Sequence, residues 1–294
     1  MSPYYSNIQY LRDTFYQIRN RIFNFPDLHR IFLRNHGYKL DLKNPLTHNQ
    51  KITFKKIFDR DPLIPLTSDK YRVREYVKEI LGNELSDQIL IPIYQISKTG
   101  QDIPFESMDF EFFMKANHYS GGNMLVKPGT DPEVLRSTCN FWINSSFGQA
   151  LHEWAYKDIP RRIICEKVLR DQDGKIPNDY KFYCFGGKPE MIMIVSDRFE
   201  TEHRVFIDAE KNILPGGQMC GKEMLLPVPE IPNYEKMVSI AEKLSKPFTH
   251  ARIDLYSFGS EIYFGEITHY PGSGLNRFED YELDLFFGNK WGKA

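Results

Sequence analysis

The chain has 294 residues, of which 41% are hydrophobic and 26% are charged, and its formal net charge is −1. These values are typical of a folded protein with one large domain or several small lobes. A net charge so close to zero excludes functions that depend on binding a phosphate backbone, so no nucleic-acid partner is expected. No apolar run approaches the roughly 20 residues of a membrane-spanning helix. We therefore expect a cytoplasmic protein.

The first segment, residues 7–34, has the spacing of an amphipathic helix. Apolar residues recur at intervals of three or four, namely Leu11, Phe15, Ile18, Ile22 and Phe23, and arginines lie off that stripe. The pattern predicts a helix that packs its apolar stripe on the core and leaves a basic face in solvent. The alternative is peripheral contact with an anionic membrane, at its inner face, or with an anionic polymer.

Capping residues, glycines and prolines divide the rest of the chain into mixed helices and strands. Residues 41–66 resemble a linker with a short helix. The elements predicted after it are a helix from residues 67–69 through Leu81, strands at 88–96, 112–117, 124–127 and 162–169, a helix capped by Asp131, a hairpin at 180–185 and 190–196, a helix at 233–245, and a hairpin at 251–256 and 261–268. Hairpins dominate the second half, which favours an α+β fold over a doubly wound parallel sheet.

Acidic residues of the last hairpin form a candidate metal site. Arg252 and Asp254 lie two residues apart and share a strand face, and an antiparallel partner can bring Glu266 beside Asp254. Two close carboxylates repel each other unless a cation lies between them, and oxygen ligands suit Mg²⁺. The alternative is a pair of solvent-facing acids on an edge hairpin. The glycine turn at 271–274 would let a substrate approach the backbone.

A lysine and a glycine loop form a candidate phosphate site in the middle of the chain. Lys115 lies on a predicted strand, and Ser120, Gly121 and Gly122 follow in the next loop. Backbone N–H groups and a fixed positive charge bind phosphate oxygens. The loop lacks the Gly-Lys-Ser/Thr of a Walker A motif, and a tight hairpin is the alternative. Residues 165–169 could likewise be an adenine-binding hinge or an ordinary strand.

Taken together and in order, these stretches resemble the ATP-grasp superfamily, and within it the TupA-like branch named for teichuronopeptide biosynthesis. The stretches that carry the resemblance, over about residues 37–288, are Asn44–Thr47 with Lys51, Ser68–Val77, Met114–Asn123, Glu153–Tyr156, Ile164–Lys167, Asp179–Pro189 and Tyr263–Thr268 continuing to Pro271–Gly274. The resemblance implies an α+β fold in which two lobes hold ATP between antiparallel sheets. The expected divisions are a helical extension at 1–60, an N-terminal lobe at 61–111, a central flap lobe at 112–165 and a C-terminal lobe with the metal site at 166–294.

The resemblance also implies a role for each candidate residue. Those assigned to ATP are Lys70 and Lys115 at the phosphates, Ser120, Gly121 and Gly122 as a mobile flap, Glu166, Lys167 and Val168 as the adenine hinge, and Asp179 near the ribose or phosphates. The implied catalytic residues are Lys181, Arg198 and Arg252. The implied Mg²⁺ ligands are Asp254, Glu266 and Thr268. Many ATP-grasp ligases have Asn at the position of Thr268, so whether one or two metals bind stays open.

The reaction implied by the resemblance is ligation of a carboxylate to an amine. ATP phosphorylates the carboxylate, and the amine then displaces phosphate to leave an amide. Because the TupA-like branch is associated with surface polysaccharides, the implied partners are a polysaccharide or a nucleotide- or lipid-linked sugar precursor, with the carboxylate on a uronic acid, and an amino acid or other amine. The reverse polarity is equally allowed. The alternatives are a kinase that phosphorylates a sugar hydroxyl, a glycosyltransferase of the same pathway and a non-catalytic nucleotide binder.

Overall fold

A computed structural model of the chain describes residues 7–196, 202–214, 223–224 and 226–292. The chain forms two compact units, each assembled from separate stretches of sequence. Unit 1 comprises Met1–Phe25, Asp61–Arg74 and Ile91–Leu169, and unit 2 comprises Pro26–Arg60, Glu75–Leu90 and Arg170–Ala294. The four divisions predicted along the sequence stay a prediction.

Unit 1 is built on a four-stranded antiparallel sheet with the strand order β1-β4-β2-β3. Its helices and strands are α1 (Asn7–Ile22), α4 (Leu63–Ser68), β1 (Ile93–Ser97), β2 (Phe112–Ala116), β3 (Asn123–Val126), α7 (Pro132–Asn144) and β4 (Ile163–Lys167). The β2 side chains alternate, so that Phe112, Met114 and Ala116 enter the core together with Leu135 and Cys139 of α7. This alternation leaves the opposite face of β2 for polar side chains.

Unit 2 is built on a six-stranded sheet with the order β10-β9-β5-β6-β7-β8, antiparallel except for the parallel pair β7 and β8. Its strands are β5 (Asp179–Phe185), β6 (Lys188–Ser196), β7 (His203–Asp208), β8 (Glu223–Met224), β9 (His250–Phe258) and β10 (Glu261–Thr268). Its helices are α2 (Pro26–His36), α3 (His48–Phe58), most of α5 (Val73–Leu81), α6 (Asn83–Ile89), α8 (Tyr234–Ser245) and α9 (Tyr281–Lys290).

The helix predicted at residues 7–34 is divided into α1 and α2. Asn24 and Phe25 have φ angles of 54° and 58°, outside the right-handed helical region, and Pro26 begins α2. A proline restricts the residue before it to non-helical backbone, which explains the break.

The prediction that the first helix packs its apolar stripe on the core is wrong. The side chains of Phe15, Ile18, Ile22 and Phe23 are 71%, 52%, 72% and 67% exposed. Asn20 on the other side of the helix is fully buried. The helix therefore points a polar side inward and an apolar side outward.

Two other segments also differ from their predictions. The short helix predicted within residues 41–66 is α3, which begins at a capping box in which the side chains of Thr47 and Gln50 each bond the other's backbone N–H. The segment differs from a linker because most residues of α3 are buried. The first half of the strand predicted at 88–96 belongs to α6 and the region after it, and β1 begins only at Ile93. The other predicted strands and the helix at 233–245 are confirmed within a few residues.

Candidate active site

In unit 1, Lys115 lies on the face of β2 that the core leaves open. Strand pairing places Phe113 opposite Glu166 and Lys115 opposite Ile164. The Lys115 ammonium therefore reaches diagonally to the carboxylate of Glu166, with which it forms an ion pair. The two side chains are 19% and 11% exposed, so the pair is accessible from one side.

The predicted glycine loop lies in the connection between β2 and β3, residues 117–122. The Lys70 ammonium donates a hydrogen bond to the Tyr119 carbonyl oxygen at 3.1 Å, so the other predicted nucleotide lysine also contacts this loop. Gly121 has a φ of 80°, which favours glycine, and a Cβ on Gly122 would come within 2.8 Å of the Tyr119 ring. Ser120 and Gly121 are exposed. Lys70 thus contacts the loop, and Lys115 lies on the strand that leads into it.

Asn117 holds this arrangement in place, and the sequence analysis gave it no role. Its side-chain amide donates to the Asp69 carboxylate at 2.8 Å and to the Pro160 carbonyl at 2.9 Å, and its side-chain oxygen accepts from the Arg162 N–H at 2.7 Å. Its backbone carbonyl accepts from the Lys70 N–H at 3.1 Å. Burial raises the pKa of Asp69, and the hydrogen bond from Asn117 opposes that rise. The available sequence signal was an Asn two residues after a candidate lysine, whereas its burial became visible only in the structure.

The segment predicted as an adenine hinge is the end of β4 and the residues after it. Cys165 points into the core, and Glu166 on the opposite face pairs with Lys115. The Lys167 N–H donates to the Pro92 carbonyl at 2.9 Å, and Val168 is only 6% exposed. The adenine-binding role of these residues stays a prediction.

In unit 2, strand register gathers six predicted site residues on one face of β5, β9 and β10. The residues are Asp179, Lys181, Arg252, Asp254, Glu266 and Thr268. The pairs Lys181 with Asp254, Asp254 with Glu266, and Arg252 with Thr268 lie directly opposite each other. The expectation that an antiparallel partner brings Glu266 beside Asp254 is therefore confirmed. A bulge at Gly265, between Phe264 and Glu266, shifts the register by one residue and so places Glu266 opposite Asp254.

Asp254 is the centre of a hydrogen-bonded network. Its Oδ1 accepts from Arg252 Nε at 2.7 Å, and its Oδ2 accepts from Arg252 Nη2 at 2.7 Å and from Lys181 Nζ at 2.6 Å. Lys181 also pairs with Asp179. In this network the positive charges of Lys181 and Arg252 therefore lie beside the negative charges of Asp179 and Asp254.

The electrostatics of the network follow from burial and pairing. Burial raises the pKa of Asp254, although Arg252 and Lys181 both oppose that shift. Burial would lower the pKa of Arg252, but the charge of Asp254, the hydrogen bonds to it and the nearby Tyr183 and Glu266 together hold that pKa well above its ordinary value. Arg252 is therefore a permanent cation, tied to a carboxylate that is only 2% exposed.

Glu266 and Thr268 form the outer edge of the same network. Arg252 Nη2 donates to Thr268 Oγ1 at 3.1 Å and lies 3.4 Å from Glu266 Oε1, and the Thr268 hydroxyl donates to Glu266 at 3.0 Å. The Glu266 side chain is 36% exposed, far more than that of Asp254. Arg198, the remaining catalytic candidate, lies outside the described residues.

The donor set fits a magnesium ion. Asp254 of β9 and Glu266 of β10 offer carboxylate oxygens, and Thr268 of β10 offers a hydroxyl, on one face of the sheet. Mg²⁺ usually takes one or two carboxylates with waters and phosphate oxygens. Arg252 contacts both acids and supplies the positive charge that two neighbouring carboxylates require. In the part of the chain that the structure describes, no group of three His, Cys, Asp or Glu residues is arranged for metal binding.

The glycine turn after β10 is fixed by a lysine that sequence reasoning missed. The Lys56 ammonium donates to the Ser273 carbonyl at 2.7 Å and to its hydroxyl at 2.9 Å. Ser273 has a φ of 59°, and a Cβ on Gly274 would lie 2.7 Å from Thr53 Oγ1. The turn is therefore packed tightly on α3, and Lys56 carried no sequence signal, because its burial is visible only in the structure.

The structure combines helices with two mainly antiparallel sheets, which is an α+β architecture. The family profile described as TupA-like ATPgrasp matches residues 50–291. The protein belongs to the TupA-like ATP-grasp family. No curated protein matches the chain.

Solved structures of several ligases are distantly similar to this chain. D-alanine–D-alanine ligase from Bacillus anthracis, complexed with ATP, is 18% identical, with a TM-score of 0.40 over 70% of this chain and 55% of that one. D-Ala-D-Ala ligase from Helicobacter pylori is 15% identical, with a TM-score of 0.44 over 78% and 62%. The ATP-grasp ligase PsnB, complexed with minimal precursor, Mg and ADP, is 9% identical, with a TM-score of 0.41 over 79% and 61%. The chain thus spans 55–62% of the length of these structures.

Proposed function

We propose that the protein is an ATP-dependent ligase that joins a carboxylate to an amine. The observation that carries the proposal is the buried network of Lys181, Arg252 and Asp254 with Glu266 at its accessible edge. Fixed cations beside carboxylates on one rigid sheet face suit phosphoryl transfer, in which the protein mainly positions groups and neutralises charge. Membership of the ATP-grasp family supports the use of ATP.

The unit 1 residues suit the binding of phosphate. The Lys70 and Lys115 ammonium groups would pair with the phosphates of ATP, and the N–H groups of Ser120, Gly121 and Gly122 would close over them. For Lys115 to do so it must leave or share its ion pair with Glu166. Glu166 to Val168 would contact adenine, and Asp179 in unit 2 would lie near the ribose or phosphates.

The proposed reaction has two balanced steps. First, a carboxylate oxygen of the substrate attacks the γ-phosphorus of ATP, so that a new O–P bond forms, the bond to the β-phosphate oxygen breaks and ADP leaves. Second, the amine nitrogen attacks the acyl carbon, the bond to phosphate breaks and the nitrogen loses a proton to solvent. Arg252 and Lys181 would neutralise the transferred phosphate and the acyl phosphate, and Arg198 is proposed for the same task.

Magnesium would be held by Asp254, Glu266 and Thr268, and when bound it would neutralise charge on the phosphate oxygens. In that state Arg252 Nη2 would exchange its contact with Glu266, the longer of its carboxylate contacts at 3.4 Å, for one with the transferred phosphate. Asp254 would keep its shorter bonds at 2.7 Å.

The proposed substrates are inferred from the association of TupA-like proteins with surface polysaccharides. The carboxylate would belong to a uronic acid of a polysaccharide or of its nucleotide- or lipid-linked precursor, and the amine to an amino acid. Aromatic side chains can stack on sugar rings. Trp142 lies in the core of unit 1, whereas Trp154 and Tyr156 are half-buried. Trp154 and Tyr156 are therefore the better candidates for contact with a sugar.

The test is to incubate the protein with Mg-ATP, uronic-acid oligosaccharides and pooled amino acids, and to measure ADP and phosphate separately. We expect equal release of both, and only when sugar and amine are present together. Glu266→Gln should abolish this release, whereas Glu261→Gln, at the other end of the same strand, should retain it.

Other outcomes would replace the proposal. Release of ADP without free phosphate would identify a kinase. Transfer from a nucleotide sugar without ATP would identify a glycosyltransferase. Failure to bind ATP by calorimetry would overturn the proposal as a whole.

A further inference from the structure

We propose that α1 is an interfacial helix that binds the surface of an anionic lipid bilayer. The inference is independent of the proposed ligase activity, because it depends only on one helix of unit 1 and is tested without turnover. The most exposed large apolar side chains of the described chain include Phe15, Ile22 and Phe23 of this segment, each more than 60% exposed. They form, with Ile18, an apolar stripe.

The inner side of α1 is held by polar and aromatic contacts. Gln17 donates to the Gln149 side chain at 3.1 Å, and the Tyr16 ring stacks on His152 with centroids 5.7 Å apart. Asn20 is buried and donates to the Tyr16 carbonyl at 2.9 Å. An amphipathic helix that packs on a core has the reverse arrangement, with its apolar side inward. The outward stripe of α1 is therefore fixed by specific contacts on its opposite side.

The charge of this segment complements an anionic surface. Residues 7–25 contain three arginines and one aspartate, although the whole chain has a net charge of −1. At about 100° per residue, Arg19 and Arg21 fall on opposite edges of the stripe. Both side chains are exposed. Apolar and aromatic side chains between basic edges are the pattern of helices that lie in the headgroup layer of a membrane.

A second copy of the chain fits this face less well than lipid does. In a two-fold symmetric contact the same patch meets itself, so the basic edges of one stripe would approach the basic edges of the other. Asp13 is the one acidic residue of the segment. Lipid phosphates, in contrast, supply negative charge along both edges at once. Among the described residues no helix is long and apolar enough to cross a membrane, so the contact would be peripheral.

The test measures co-sedimentation of the full chain with vesicles of phosphatidylglycerol and phosphatidylcholine, and with vesicles of phosphatidylcholine alone. We expect binding to the anionic vesicles that weakens as salt is raised. Phe15→Ser/Ile22→Ser should lower the affinity at least tenfold. Its matched control, Val134→Ser/Phe141→Ser, removes two exposed apolar side chains from α7 of the same unit and should bind as the parent does.

A charge variant distinguishes binding to anionic lipid from nonspecific adsorption of an exposed apolar surface. Arg19→Glu/Arg21→Glu should weaken binding by about 25-fold or more, because each basic residue near an anionic surface contributes about fivefold. Lys98→Glu/Lys127→Glu makes the same charge change at exposed lysines of unit 1 and should have a much smaller effect. Unchanged circular dichroism of the variants would exclude unfolding as the cause of their loss of binding.

The proposal is overturned if the parent protein does not bind anionic vesicles, or if it binds and the α1 variants bind equally well. It is also overturned if light scattering shows a dimer that Phe15→Ser/Ile22→Ser dissociates and vesicles do not bind. In that case the stripe is an interface between copies.

Discussion

The two candidate clusters hold their charges in different ways. In unit 1, Lys115 is 19% exposed and contacts one carboxylate, and Lys70 contacts a loop carbonyl. In unit 2, Asp254 is 2% exposed and accepts three hydrogen bonds from two cations on rigid strands. The unit 1 cluster can therefore exchange partners at modest cost, whereas the unit 2 cluster is assembled before any ligand arrives. The difference indicates that the unit 1 cluster suits binding a ligand that replaces its present contacts, whereas the unit 2 cluster suits holding charges in fixed positions.

The largest expected effect comes from breaking the unit 2 network at its centre. Asp254→Asn leaves Arg252 and Lys181 buried without their shared charge, so we expect loss of turnover and a decrease of about 3–5 kcal/mol in the free energy of unfolding. Glu266→Gln, at the more exposed edge, should abolish turnover while the fold keeps its stability. Denaturant unfolding and phosphate release measure the two effects. Equal stabilities of the two variants would contradict the distinction between centre and edge.

The next largest expected effect is a loss of folding stability at acidic pH, because unit 2 also buries a pair of histidines. His48 Nε2 lies 3.4 Å from His250 Nε2. Burial lowers the pKa of His48 from 6.5 to about 4, and burial together with His48 lowers that of His250 well below its ordinary value. The unfolded chain therefore binds more protons than the folded chain between pH 6.5 and about 4, and stability should fall as pH falls through that window.

The expected slope is about 1.4 kcal/mol per pH unit for each such histidine. His48→Phe/His250→Phe removes both groups together, so that neither ring loses a partner, and should make the slope shallower. Urea unfolding at several pH values measures it. A slope equal to that of the parent would mean that other groups cause the acid lability.

A smaller effect is expected at the unit 1 cluster. Lys115→Ala should weaken ATP binding at least tenfold, since one phosphate contact of a partly exposed ammonium is lost, while the fold is kept. Lys127→Ala, at an exposed lysine of the same unit, is the control. Calorimetric titration measures the affinity. Unchanged ATP affinity in Lys115→Ala would remove the phosphate assignment of β2 and its loop.

The smallest effect is expected at two matched helix caps, one in each unit. The Asp131 carboxylate accepts from the Glu133 N–H at the start of α7, and the Asp280 carboxylate accepts from the Glu282 N–H at the start of α9, both at 2.9 Å. Each change to Ala should cost about 1 kcal/mol. Thermal unfolding of the two variants measures this. A cost several times larger at one cap would show that the two units respond differently to local damage.

Much of the candidate site could be predicted because its residues lie on strands. Alternation along β9 places Arg252 and Asp254 on one face. The pairing of Glu266 with Asp254 depends in addition on the bulge at Gly265, because the register that the hairpin turn sets would otherwise place Glu266 opposite Ile253. The roles of these residues, in contrast, came from resemblance to a family. The contacts of Asn117 and Lys56 could not be predicted, because their partners lie more than 40 and 200 residues away, respectively, in the sequence.

The sequence by itself determined most of the strands, the order of the family's motifs and the α+β class, because these depend on local periodicity and turn residues. It gave no prediction for β7 and β8. Only the tertiary structure decided that Asp254 is buried beneath two cations while Glu266 stays accessible. It also decided the orientation of α1. An amphipathic pattern fixes which residues share a face, but the contacts of Gln17 and Tyr16 determine which face meets the protein.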